Sequence, residues 1–145
     1  MSVPQAQVYL FVFLAAVAIG TIIGGPIGDR IGRKRVIWVS ILGVAPLSLL
    51  IPYVGLAATV ALSAAAGMIL ASAFPAIIVY AQDLMPSKVG LVAGLFFGLA
   101  FGMGALGAAA MGQIADATSI THVFWLVSFL PLIGVLAIFL PDIKR

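Results

Sequence analysis

The chain has no cysteine, no glutamate and one histidine, and its charge is confined to seven Lys and Arg and four Asp among 145 residues. Without cysteine it forms no disulfide and does no thiol chemistry. A metal centre needs three or four converging ligands, and nucleophilic catalysis needs a base within reach of the nucleophile. Here the four carboxylates, Asp29, Asp83, Asp116 and Asp142, fall at the ends of apolar runs, and His122 sits at the end of another. The scarcities argue against an enzyme, a metal and a cofactor. They also identify the solvent: with 8% charged residues and a mean hydropathy of +1.31, a soluble domain would have almost nothing to present to water. The chain is built for lipid.

A hydrocarbon core about 30 Å thick takes roughly 20 apolar residues per helical crossing. Five runs of that kind occur, approximately Val8–Gly28, Val36–Tyr53, Ala57–Ala81, Val89–Gly112 and His122–Leu140, separated by charges or by Gly, Pro, Ser and Asp clusters. A spanning segment must satisfy its own backbone hydrogen bonds, and runs this long exceed barrel strands of about 10 residues, so the expectation is one all-α transmembrane domain of five helices. The segment MSVPQAQ lacks the positive region of a signal peptide, and the first run is read as a span.

Threading the five spans back and forth places Arg30, Arg33, Lys34, Arg35, Lys88, Lys144 and Arg145 on one side. That distribution predicts a cytoplasmic loop after the first span, a cytoplasmic C-terminus and an N-terminus outside. The cations are used at bilayer edges, which argues against a nucleic-acid partner despite a pI near 9.7.

Small residues recur at helical spacing. Gly20, Gly24 and Gly28 mark the first span, and Gly90, Gly94, Gly98 and Gly102 mark the fourth. Lipid offers no hydrophobic gain for helix association, so small residues permit the close approach that holds helices together. Periodicity alone allows either static packing or a sliding surface between two moving bodies. GMGALG, Gly102 to Gly107, matches a dinucleotide fingerprint only in letters, because it lies within an apolar span with no preceding strand. The mid-membrane rings Phe74, Phe96, Phe97 and Phe101 either line an apolar small-molecule path or fill helix contacts.

Five of the charged residues fall in GGPIGDRIGRKR, Gly24 to Arg35. The spacing at Gly25, Gly28, Asp29, Arg30, Gly32, Arg33 and Lys34 resembles the signature loop of the major facilitator superfamily. That resemblance implies twelve helices in two six-helix halves with a substrate path between them, and five helices with the N-terminus outside match one half lacking its first helix. In such an alignment the first and fourth spans occupy equivalent repeat positions facing the other half, so Gly20, Gly24, Gly90, Gly94, Gly98 and Gly102 are expected at the interface between halves. The stretch from Met85 onward is similar to the C-terminal end of fosmidomycin-resistance-type drug efflux proteins, and the chain stops within a few residues of the last span. Both features point to the second half.

The resemblance further implies that Asp29, Arg30 and Arg33 form a conformational latch against the missing N-terminal half, which is the expected partner beside the lipid bilayer and a small-molecule substrate. The expected function is therefore part of a proton-coupled efflux carrier in the inner membrane, inactive alone. No ionisable residue lies inside a span, so any proton-carrying group must lie elsewhere. A small membrane scaffold without a transport cycle is the alternative, although a scaffold has no need of a latch.

Overall fold

The computed structural model describes residues 2–134 and 136. Among these the chain forms α1 (Val3–Ile31), α2 (Arg33–Leu50), α3 (Leu56–Leu84), α4 (Val89–Ala117), α5 (Ile120–Ser128) and α6 (Leu130–Ile133), with single 3-10 turns at Ile51–Tyr53 and Pro86–Lys88. Four stretches are long and apolar enough to cross a bilayer: Val3–Ile31, Arg33–Tyr53, Leu56–Leu84 and Pro86–Ala117. A 29-residue helix is about 43 Å long, so α1, α3 and α4 outreach the hydrocarbon and carry their polar ends into the headgroups. The fifth expected span is described only as the shorter apolar stretch Ile120–Ile133. The remainder of that span, toward Leu140, lies outside the described residues.

Local chemistry explains the helix ends. Pro4 falls in the first turn of α1, where its missing N–H costs nothing, and the Gln5 side chain accepts a hydrogen bond from the Ser2 backbone at 3.1 Å. At the other end Gly32 adopts φ +96°, the one positive φ among the described residues, and donates its N–H to the Gly28 carbonyl at 3.1 Å. Gly25 to Ile31 is helical, and the connection from α1 to α2 is the single residue Gly32. Pro26, Pro46 and Pro75 lie inside α1, α2 and α3, whereas Pro131 opens α6 just after the break at Phe129.

Close approach of backbones holds α1 to α3. A Cβ at Gly20 would stand 2.1 Å from the Met68 carbonyl oxygen, and one at Gly24 would stand 2.1 Å from that of Ser72. In return Gly67 of α3 receives Phe13 and Val17 of α1. Val36, Ile37 and Ala76, with Ile41 and Ile77 against them, form the core between α2 and α3.

Hydroxyls supply the polar contacts. Ser72 donates to the Ile69 carbonyl at 2.6 Å, which leaves Ser40 of α2 to donate to Ser72 at 3.1 Å. Ser48 and Ser128 join α2 to α5: Ser128 Oγ lies 2.7 Å from both the Ser48 and Phe124 carbonyl oxygens, and Ser48 Oγ lies 3.0 Å from that of Ala45 and 3.2 Å from that of Ser128. Because Ser128 is buried, Ser128→Ala should lower stability by about 1 kcal/mol. The thermal midpoint of the detergent-solubilised protein checks this, and an unchanged midpoint would mean that the clasp contributes nothing.

α4 is different. Val92 is its one buried residue among those described, and a Cβ at Gly90, Gly94, Gly98 or Gly102 would meet nothing within 4 Å. The two glycine seams therefore differ in what they meet within this chain. Gly20 and Gly24 are buried against α3 within this chain, while the seam of α4 stands open. The reason is steric: two backbones in contact leave no room for a third element at the same glycines.

Candidate functional site

The end of the bundle at Gly32 gathers most of the charge. Asp29 lies in the last turn of α1, Arg33 opens α2, and Asp83 lies in the last turn of α3. Because Gly32 lets the chain reverse within one residue, Arg33 returns beside the helix it has just left. Its Nη2 reaches Asp29 Oδ1 at 3.3 Å, and its Nη1 is paired with Asp83 Oδ2. One guanidinium thus ties the ends of three helices, which suits a planar fork with several fixed donors.

The two carboxylates are not equivalent. The Arg33 side chain is 14% exposed and that of Asp83 is 26% exposed, but that of Asp29 is 69% exposed. A pair partly withdrawn from water is screened less than one at the surface, so Asp83 is the anchor of Arg33 and Asp29 is its loose partner. Gly28 is buried with its Cα face toward Ala76, where a Cβ would meet the alanine methyl at 3.4 Å, an ordinary contact. Gly25 has open space. An open cavity of about 470 Å³ at this end is lined by Gly28, Asp29, Arg30, Ile31, Gly32, Arg33, Lys34, Arg35, Tyr80 and Asp83.

All seven signature residues are thus in or beside one site, and only Gly32 uses its conformational freedom. Sequence reasoning did not place Tyr80 and Asp83 there. The signal was available for Asp83, since threading the spans puts the end of α3 on the same side as the cationic turn, and an apolar chain with so few acids has few partners for an arginine. The same threading puts Tyr80 near that membrane face, but its burial depends on how α3 rotates about its axis.

The four phenylalanines divide. Phe74 of α3 meets Phe97 of α4 edge-on with centroids 5.4 Å apart, and Phe97 stacks on Phe101 at 6.2 Å. Phe96 makes no ring contact among the described residues. Phe97 and Phe101 remain exposed, so this ladder both joins α3 to α4 and presents aromatic faces outward. At the opposite end His122 stacks with Trp125, with centroids 6.5 Å apart, and its backbone N–H is accepted by Ser119.

This arrangement, a one-residue cationic turn between two spanning helices with its arginine locked to the third, can be compared with known proteins. Residues 1–145 match the family model described as Major Facilitator Superfamily. The chain is 62% identical over 142 residues to the fosmidomycin resistance protein of Escherichia coli strain K12, covering 98% of this chain and 35% of that protein. It is 47% identical over 145 residues to the uncharacterized MFS-type transporter YfnC of Bacillus subtilis strain 168, covering 100% of this chain and 36% of that one. No solved structure matches it. The chain spans about a third of the length of either relative, and it belongs, as a multi-pass membrane segment, to the major facilitator superfamily.

Proposed function

We propose that this chain is the C-terminal half, less its first helix, of a small-molecule efflux carrier of the inner membrane that works by alternating access. The observation that carries the reading is the uneven hold on Asp29. Arg33 is committed to Asp83, while Asp29 keeps a 3.3 Å contact at an exposed position and can exchange it at little cost. A carboxylate that exchanges partners is what a latch between two bodies requires.

In this reading the Gly32 turn, Lys88 and the C-terminus are cytoplasmic and the N-terminus is outside, because the Lys and Arg residues fall on one side of the threaded spans. The open glycine face of α4 receives a helix of the N-terminal half. Gly20 and Gly24 hold α1 rigidly on α3, so the two move as one body. Asp29, with Arg30, engages the other half when the carrier faces outward and releases it when the carrier faces inward. Phe97 and Phe101 line the substrate side weakly, through apolar contact. The relative's name concerns fosmidomycin resistance, which supports a small-molecule drug as the exported class. Coupling to protons uses a group outside the spans of this chain, and the chain alone does not transport.

Asp29→Ala in the complete transporter should leave membrane insertion and expression unchanged and abolish efflux, read as accumulation of a fluorescent or radiolabelled substrate. Normal efflux by a correctly inserted variant would defeat the latch.

A further inference from the structure

The fifth apolar stretch is not one continuous helix. α5 ends at Ser128, and beyond Phe129 the chain resumes as α6. Pro131 has no N–H, and the Leu132 N–H, which an unbroken helix would give to the Ser128 carbonyl, goes to the Phe129 carbonyl at 3.1 Å. The Ser128 carbonyl therefore lacks the amide that a helix would supply. The end of α2 has the same defect, because the residue four places after Ser48 is Pro52. Within a bilayer neither carbonyl can turn to water.

Each of these carbonyls lies against the hydroxyl of the other serine, Ser128 Oγ 2.7 Å from the Ser48 carbonyl and Ser48 Oγ 3.2 Å from the Ser128 carbonyl. Each hydroxyl also has an acceptor in its own helix, the Phe124 carbonyl at 2.7 Å for Ser128 and the Ala45 carbonyl at 3.0 Å for Ser48. A serine carries one hydrogen, so two hydrogens face four carbonyls. The carbonyls of Phe124 and Ala45 have helical amides one turn on, those of Ser128 and Leu49. The crossed carbonyls do not, and they draw the hydrogens whenever the two helices touch. Past the break the chain stays close to α2: a Cβ at Gly134 would stand 2.7 Å from Ile41 Cγ2. That contact fixes the far side of Phe129 and leaves α5 as the arm that can turn.

We propose that Ser48 and Ser128 form a two-position lock between α2 and the break in the fifth stretch. Locked, the hydroxyls cross and fill the two carbonyls that the prolines leave open. Released, each turns back onto its own helix, Ser128 to Phe124 and Ser48 to Ala45, so both hydroxyls stay bonded while α5 pivots at Phe129. The lock needs only the packing of α5 on α2 and stands whether or not Asp29 acts as a latch.

The chain has no cysteine, so spin labels at Leu50→Cys of α2 and Ile120→Cys of α5, both exposed positions, report on this pair of helices alone. For the full chain in nanodiscs, electron paramagnetic resonance should give a main short distance and a minor longer one. Ser48→Ala/Ser128→Ala removes the locked position and should raise the longer population roughly threefold, about the worth of one interhelical hydrogen bond. A single distance in both proteins, or equal populations in the two, would overturn the lock. A second measurement tests the role of the open carbonyls. Pro131→Ala lets the helix close through the break and returns an amide to the Ser128 carbonyl, so Ser48→Ala should lower the thermal midpoint less in that background than in the parent. The same loss in both backgrounds would overturn the assignment of Ser48 to a carbonyl left open by proline.

Discussion

Gly24→Ile should cost the protein at least about 3 kcal/mol and leave little folded material in mild detergent. The Cβ alone would stand 2.1 Å from the Ser72 carbonyl oxygen and 2.5 Å from the Ser72 Cα. Backbone cannot rotate aside as a side chain can, so α1 and α3 would have to separate and surrender the contacts of Phe13 and Val17 with Gly67. The same substitution at Gly98 of α4 meets nothing within 4 Å and should change the chain's stability by no more than about 0.5 kcal/mol. In the complete transporter, however, Gly98→Ile should abolish efflux, because a branched side chain would hold off the helix that α4 is proposed to receive. Fluorescence-detected size exclusion after a heating series separates the two effects. A Gly24 variant that melts like the parent would refute the packing of α1 on α3, and a Gly98 variant that transports normally would refute α4 as the contact with the other half. Gly28→Ala, whose new methyl would make only a 3.4 Å contact with Ala76, should be tolerated and serves as the control.

Arg33→Ala is expected to lower stability by about 1–3 kcal/mol and to abolish efflux, through loss of the tie among three helix ends. The cost arises mainly from Asp83, which is left three-quarters covered with its principal cation gone. Asp29→Ala removes only the exposed member and should cost less than about 1 kcal/mol. The two variants should therefore diverge: both fail to transport, and only the first melts early. The exchange Arg33→Asp/Asp83→Arg should recover part of the stability lost in either single variant, because the pair is restored in reverse. It should not recover efflux, since Asp29 would then face a carboxylate. A thermal midpoint for Arg33→Ala equal to that of Asp29→Ala would remove Asp83 from its role as anchor.

The amino-acid sequence by itself determined the solvent, the helical class and the location of the charged turn. Each follows from quantities that no tertiary arrangement can alter: too few polar residues to face water, apolar runs as long as a bilayer is thick, and cations grouped at the run ends. The signature residues from Gly25 to Lys34 were legible for the same reason, since they are contiguous. What only the tertiary structure decided is which neighbour each small or charged residue meets. The seams of α1 and α4 have the same four-residue period, yet one is buried and the other open. A helical repeat specifies a face, and the rotation of that face toward a partner depends on every other helix in the bundle. Asp83 was likewise visible as an acid at a span end, but its pairing with Arg33 brings together residues 50 apart in sequence and depends on the packing of α3 between α1 and α2. The hydroxyl clasp of Ser48 and Ser128, 80 residues apart, carried no pattern at all, because an isolated polar contact between helices leaves no period in a sequence.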